Sequence, residues 1–343
     1  MGTRLAAVAV LAAIACTPRP SPSEIATAPG CRTTLGAPAL ARGDTVRWRS
    51  AGDSADARRL DAWCREVGPA VVVQPPARPH PLPDSVPIFS WNLHVGAADL
   101  GAFVRDIRAG ALTGGRPPGD FVILTQEAHR GRDRRRRRRD VIDASRAAGL
   151  GVYYAPSMRS GRGEPGADDR GNAILSTLPL SDLEAVELPL ERQRRVAILA
   201  TVRLGADSAP LRLVDVHLEN LSGSLLPDDR STGTGRRYQM GELLRIVQLP
   251  GATVLAGDFN TWALGPEEAV VADLVEIHGF TAALPGSEPT LVSLFGLFRR
   301  RLDHVLFRLP EGWHGTAQRI ATRYGSDHHP LMAWVGRQGV KVP

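Results

Sequence analysis

The sequence predicts an α/β or α+β domain, and three observations predict it. Short apolar runs recur with turn residues between them, helix-patterned segments alternate with those runs, and polar residues able to do chemistry cluster where the runs stop. The chain has 343 residues, enough for one large domain or two ordinary ones, and its 43% hydrophobic content supports a sizeable core. No internal repeat appears at the periods expected of solenoids. The formal charge of +6 favours anionic partners such as nucleic acid, phosphorylated small molecules or anionic lipid.

Taken in order, Met1 to Arg4 is a short basic start and Leu5 to Ala15 an apolar run too short to span a bilayer as a mature helix. Residues 1–15 read as a signal peptide. Ala13-Ile14-Ala15-Cys16 resembles a bacterial lipobox, so Cys16 is expected to carry lipid. The protein is then exported, as a cell-envelope lipoprotein facing an anionic membrane surface or as a secreted form. No later apolar stretch reaches transmembrane length. Residues 16–84 read as a lipid-anchored tether, a segment with Cys31 and Cys64, and a Pro-rich linker. With Cys16 lipidated, Cys31 and Cys64 form an even pair in an exported chain, which predicts a disulfide. A short helix is expected over Asp53 to Val67. The prolines between Gln74 and Asp84 exclude a helix or a central strand, so this stretch is a linker or an extended strap. The main domain, 85–343, is expected to begin at Ser85.

From there strands are expected at Pro87 to Leu93, Phe121 to Thr125, Gly171 to Leu175, Val196 to Leu204, Leu211 to Val216, Thr253 to Ala256, Leu302 to Phe307 and Leu331 to Val335. Asp99 to Arg108 and Tyr238 to Gln248 pattern as helices, and a basic helix is expected to follow Thr125 and end near Gly149. Leu291 to Phe298 reads as a buried strand, although its basic flank also suits contact with a membrane or substrate.

The chemistry sits at strand ends: Asn92, Glu127, His217, Asp258 with Asn260, Asp303, and Asp327-His328. A single polar residue after a strand is ordinarily a turn former or helix cap. Together these are carboxylates, amides and imidazoles, with no competing Ser-His or Cys-His set. Oxygen donors of this kind suit hard cations such as Mg2+, and no cysteine lies near any of them to suggest zinc.

The order and spelling of Trp91-Asn92, Gln126-Glu127, Gly171-Asn172-Ala173-Ile174-Leu175-Ser176, Asp215-Val216-His217, Gly257-Asp258-Phe259-Asn260 and Ser326-Asp327-His328, with Asp303 besides, resemble the endonuclease/exonuclease/phosphatase superfamily. The resemblance covers about residues 87–336. It implies the deoxyribonuclease I-like fold, a four-layer α/β sandwich of two packed mixed β-sheets flanked by helices. It implies a monomeric, metal-dependent phosphodiester hydrolase whose substrate is nucleic acid, with sphingomyelinase-like or inositol-phosphate activity as the alternative, and a catalytically inactive surface binding module as an alternative of another class. Asn92, Glu127 and Asp327 would hold Mg2+, or Mn2+ or Ca2+ in its place. Asp258 and Asn260 would orient or deprotonate water, His328 would contact the scissile phosphate with Asp303 behind it, and His217 would be the second imidazole. Deoxyribonuclease I pairs its equivalent histidine with a glutamate, and Gly151 to Met158 offers none.

Two basic features bear on substrate. Arg130, Arg132 and Arg134 to Arg139 follow Glu127 closely, and Arg134, Arg135 and Arg136 are candidate phosphate contacts. Arg194 and Arg195, just before the strand from Val196, are candidates of the same kind, and Arg236-Arg237 either faces phosphate or serves the surface and helix start.

Overall fold

The computed structural model describes residues 31–36, 44–51, 54–77, 80–131, 138–160, 168–220, 233–262, 269–284, 286–293 and 296–337. The signal peptide, Cys16, the tether up to residue 30 and Arg134 to Arg136 lie outside the described residues.

Two mixed sheets pack face to face. Eight strands form the first, in the order β1 (Thr34–Gly36), β3 (Ala70–Val73), β6 (Gly151–Arg159), β7 (Asp169–Ser176), β5 (Val122–Arg130), β4 (Ser85–Asn92), β17 (Leu331–Arg337) and β16 (Trp313–Arg319). The second has seven: β12 (Thr281–Ala282), β15 (Asp303–Arg308), β11 (Ala252–Asp258), β10 (Ala209–His217), β9 (Val196–Leu204), β8 (Ser181–Glu187) and β2 (Arg47–Ser50). Ile88, Leu124 and Ile174 of one sheet meet Ile198, Leu213 and Val254 of the other in the central core. Helices α2 (Leu100–Arg108) and α3 (Val141–Ala147) cover the outer face of the first sheet through Phe103, Ile107 and Val141. Helices α4 (Thr234–Ile246) and α5 (Val270–Glu276) cover the second through Met240, Leu243 and Leu274. Both faces of the central strands are therefore buried. That is why β9 and β11 read as nearly continuous apolar runs rather than alternating ones.

Most expected elements appear with small boundary shifts. Asp99 caps α2 by accepting a hydrogen bond from Ala102 N at 3.0 Å. The basic helix expected after Thr125 is a correction: β5 continues to Arg130, and α3 begins only after Asp140, whose side chain caps it. The Leu291 to Phe298 reading is also corrected. This stretch folds as a two-stranded hairpin, β13 (Leu291–Ser293) with β14 (Phe298–Arg300), and Leu297 and Phe298 are 82% and 48% exposed.

The boundary at Ser85 does not divide the fold. Among residues before it, β1 and β3 extend one edge of the first sheet, and β2 lies parallel to β8 at the edge of the second. Helix α1 (Ser54–Arg65) carries Cys64, disulfide-bonded to Cys31 with Cα atoms 5.4 Å apart. The proline stretch is the strap that carries the chain from β3 to β4. Gln74 anchors its start by exchanging hydrogen bonds with the Leu180 backbone, at 2.8 and 3.1 Å. Cys31 sits over a buried ion network. Glu187 Oε1 accepts from Arg194 Nε and Nη2 at 2.8 and 2.6 Å, Glu187 Oε2 accepts from Arg32 at 2.9 Å, and Arg194 also donates to Cys31 Sγ at 3.2 Å. The disulfide closes the segment on itself, and the Arg32–Glu187 ion pair with the Arg194–Cys31 contact ties it into the body.

Glu187→Ala would strand Arg194 as a buried cation. The expected cost is about 3–5 kcal/mol, read as a lowered denaturation midpoint, whereas replacing the exposed Asp61 partner of Arg32 should cost less than about 1 kcal/mol.

Candidate active site

Strand register assembles the site. His217 ends β10 beside Asp258 at the end of the parallel β11, and Asp258 faces Asp303 at the start of the antiparallel β15, so three predicted residues form one row across the sheet. In the other sheet, Leu331 of β17 pairs with Ser90 of β4, which brings the turn holding Asp327 and His328 against Asn92. Gly257 makes the row possible: its φ is +145°, and a Cβ there would meet the Val216 carbonyl oxygen at 1.9 Å.

His328 and Asp303 are the tightest pair, with Nδ1 to Oδ2 at 2.8 Å and both residues buried. Thr290 Oγ1 accepts from the backbone N–H of Leu302 and of Asp303, each at 3.0 Å, which fixes the start of β15. Ser326 Oγ donates to the Asn92 carbonyl at 2.7 Å and accepts from His328 N at 3.0 Å, and Trp91 Nε1 donates to the His328 carbonyl at 3.2 Å. The Trp-Asn and Ser-Asp-His motifs are therefore one structural unit.

Asp258 lies between two imidazoles, with His217 Nε2 at 3.7 Å and His328 Nε2 at 3.9 Å from its Oδ2. The same oxygen accepts from Asn92 Nδ2 at 2.9 Å, and Oδ1 accepts from Asn260 N at 2.9 Å. Burial, then the negative charge of Asp303, push the Asp258 carboxyl up to about 7. Burial would lower His328, but Asp303 first, then Asp258 and Asp327, raise it to about 10. His217 goes the other way: burial, then the charges of Arg195 and Arg170, hold it well below the ordinary imidazole range. Asp258 is its one carboxylate neighbour within 4.0 Å among the described residues, so the missing glutamate is answered by the row itself.

Asn260 is more a fastener than expected. Its Nδ2 donates to the Leu218 carbonyl at 2.9 Å and its Oδ1 accepts from Trp262 Nε1 at 3.1 Å, which locks the turn after β11 with Asn260 at φ +52°.

The three oxygen donors assigned to a cation flank this cluster. Glu127 is turned off the strand line by a register break between Thr125 and Ala128, at φ +51°. Asn92 Oδ1 accepts from His94 N at 2.9 Å in a tight turn, and Asp327 Oδ1 lies 2.6 Å from His94 Nδ1. His94 also feels the charge of Glu127, so one imidazole ties this side of the site together. Carboxylate and amide oxygens suit a hard divalent cation, and Asp258, Asp303 and His328 form a second group of potential ligand atoms within 4.8 Å of one another.

Three neighbours went unrecognised in the sequence. His94 stands two residues after Asn92, in the same turn. Arg170 directly precedes the Gly171-Asn172 motif, and its Nη1 lies 3.9 Å from Glu127. Thr290 had no local signal. Other motif residues bond to one another across the two sheets. Gln126 Nε2 donates to Asp215 Oδ1 at 2.6 Å, and Asn172 Nδ2 donates to the Asp215 carbonyl at 3.4 Å, which joins the two sheets behind the site. Burial holds the Asp215 carboxyl well above its usual range.

The arginine pair divides. Arg194 is a correction: it is 0% exposed and fully engaged with Glu187, Pro156 and Ser157, so it does not face substrate. Arg195 lies at the site. Of the later pair, Arg237 binds Asp273 on the surface, and Arg236 is buried, with Nη1 3.5 Å from the Glu219 carbonyl.

Because the folded pKa of His328 exceeds that of a free imidazole, its charge contributes stability fully below about pH 6.5, and that contribution is lost as pH rises through about 10. Asp303→Asn removes the strongest upward influence, so the ring should titrate well below its parent value of about 10, though Asp258 and Asp327 still raise it. An NMR titration of the cation-free protein checks this, and an unchanged His328 titration in the variant would contradict it.

Comparison with known proteins bears on fold and family. No curated protein matches the chain. Among solved structures, an endonuclease/exonuclease/phosphatase from Beutenbergia cavernae DSM 12333 matches with a TM-score of 0.57 at 19% identity, over 76% of this chain and 73% of that one. A 3′-5′ exonuclease from Neisseria meningitidis matches at 0.48 and 20%, over 72% and 98%. Sphingomyelinase C from Streptomyces griseocarneus matches at 0.44 and 18%, over 73% and 99%. At these identities the likeness concerns the fold. The profile of the Endonuclease/Exonuclease/phosphatase family matches residues 89–328, a span that contains Asn92, Glu127, His217, Asp258, Asn260, Asp303, Asp327 and His328, and the chain belongs to that family.

Proposed function

We propose that this protein is a divalent-cation-dependent phosphodiester hydrolase, a nuclease that works as a monomer outside the cytoplasm. One observation carries the reading: a buried Asp303–His328–Asp258 cluster faces the oxygen donors Asn92, Glu127 and Asp327 at the joined ends of two sheets. Phosphodiester hydrolysis needs an activated water, charge on the non-bridging oxygens and help for the leaving oxygen. Asp258, poised near neutrality, accepts the proton of the attacking water, and Asn92 and Asn260 hold it in place for that. His328, kept charged by Asp303, donates to a non-bridging phosphate oxygen. Neutral His217 stands beside Asp258 and relays a proton toward the leaving oxygen. A bound divalent cation, Mg2+ or in its place Mn2+ or Ca2+, would supply Lewis-acid stabilisation, with Glu127, Asn92 and Asp327 as the residues to hold it. The resemblance of Ala13-Ile14-Ala15-Cys16 to a lipobox and the Cys31–Cys64 disulfide support export and an envelope or secreted location. The arginine run after Glu127 supports a polyanionic substrate.

The test is incubation of the mature protein with plasmid, single-stranded DNA, RNA, sphingomyelin and inositol phosphates, with and without Mg2+. Glu127→Gln and Asp258→Asn should each lower kcat/KM by about 10²–10³-fold. Full activity in excess EDTA would refute the cation requirement.

A second reading, a lipid phosphodiester as substrate, is favoured by the β13–β14 hairpin. It exposes Leu297 and Phe298 beside Arg299 and Arg300, an apolar tip with a basic flank suited to an anionic bilayer surface. If that reading holds, Leu297→Ser with Phe298→Ser should reduce turnover on sphingomyelin vesicles about tenfold or more while sparing DNA, since transfer of each apolar side chain into the membrane contributes over 1 kcal/mol. Equal turnover on vesicles would remove it.

A further inference from the structure

Two guanidinium groups beside the site have no part in the chemistry above. Arg195 directly precedes β9, which runs antiparallel to β10 with Asp215 opposite Ile198, so Arg195 enters the sheet next to the strand end that carries His217. Its side chain is 3% exposed, yet its Nε and Nη2 have no hydrogen-bond acceptor among the described residues. Glu219 Oε1 lies 4.0 Å away, and the carboxylate of Glu219 is already engaged by the backbone N–H groups of Arg192, Gln193 and Asn220. The adjacent Arg194 shows what a structural arginine looks like here, with carboxylate and carbonyl oxygens accepting from all three of its nitrogens. A buried cation with unpaired donors is unfavourable, and Arg195 is close enough to Glu127, Asp258 and His217 to act on their charges.

Arg170 stands on the same side of the cleft. It is half-buried, its Nη1 is 3.9 Å from Glu127 Oε2, and its Nη2 donates to the weak acceptor Met158 Sδ at 3.1 Å. Like charges seldom converge on one site unless an anion joins them. The forked N–H groups of arginine match phosphate oxygens two at a time. In the reading above, His328 and the cation that Asn92, Glu127 and Asp327 would hold serve the scissile phosphate.

We propose that Arg195 and Arg170 form a subsite for a second phosphate group of the substrate, next to the scissile phosphate on the His217 side. This rests on the phosphodiesterase reading and narrows it to substrates with at least two phosphate groups: a nucleic acid chain, whose neighbouring diester supplies the second, or a polyol carrying several phosphates. A choline headgroup would instead set a cation against two cations.

The experiment compares a thymidine dinucleotide with the same dinucleotide phosphorylated at its 5′ or its 3′ end, and adds an inositol bisphosphate to identify the polyol source. The parent protein should prefer one of the doubly phosphorylated compounds, chiefly through a lower KM. In Arg195→Gln that preference should shrink by about tenfold, the scale of one lost charge-assisted hydrogen bond, and Arg195→Lys should restore part of it. Arg170→Gln, at a half-buried position, should shrink it independently, and it decides the matter if Arg195→Gln does not fold. No preference in the parent, or equal losses on singly and doubly phosphorylated substrates, would overturn the proposal. Calorimetric titration with inorganic pyrophosphate in EDTA separates the two readings. Arg195-dependent binding without hydrolysis of any diester would retain the subsite and reject the phosphodiesterase, and hydrolysis without Arg195-dependent discrimination would do the reverse.

Discussion

A carboxylate held away from water between two imidazoles is the interaction on which the rest of this structure depends. Asp258 is buried, and so are Asp303 and His328 beside it. Concentrating like charge at low dielectric is unfavourable unless each group is held and paired. The fold meets that requirement from several directions: Asn92 and the Asn260 backbone bind Asp258, Thr290 fixes the backbone at Asp303, and Ser326 with Trp91 fixes that at His328. Opposite environments separate the two imidazoles. Carboxylates around His328 keep it charged, whereas burial first, and then the arginines near it, hold His217 well below the ordinary imidazole range. One site thereby holds a cationic and a neutral imidazole over the same pH range, as acid–base work on a phosphate ester requires.

Keeping that cluster together demands that two sheets end in register. Behind the site, Gln126, Asn172 and Asp215 bridge β5, β7 and β10 by hydrogen bonds, with the Asp215 carboxyl kept high by burial. These residues stand in the same sequence motifs as the candidate site residues, and their hydrogen bonds join the two sheets. At the far edge, the Cys31–Cys64 segment contributes strands to both sheets and closes over the Glu187–Arg194 pair. It belongs to the domain mechanically, although in sequence a proline-rich stretch sets it apart.

Much of the fold was legible because its central strands are covered on both faces, which leaves unmistakable apolar runs such as Val196 to Leu204. Edge strands were harder. β16, Trp313–Arg319, is partly exposed along its whole length, and β1 and β2 are too short to show a period. The hairpin from Leu291 failed for a related reason. Its apolar residues resemble a core strand, but only the packing around them decides whether a second layer covers them, and for Leu297 and Phe298 none does.

By itself the sequence determined the alternation of strands and helices, the motif order that marks the family, and the choice of His217, Asp258, Asp303 and His328 as candidate site residues. These follow from local chemistry: apolar runs need burial, and polar residues at their ends project from the edge of a sheet. Tertiary structure alone decided the partners. Arg194 and Arg195 are neighbours in the chain with the same side chain, yet one neutralises Glu187 in the interior and the other stands with unpaired donors beside His217. A single peptide step just before β9 thus separates an arginine paired in the interior from one with unpaired donors, and what awaits each depends on chain segments far away in sequence.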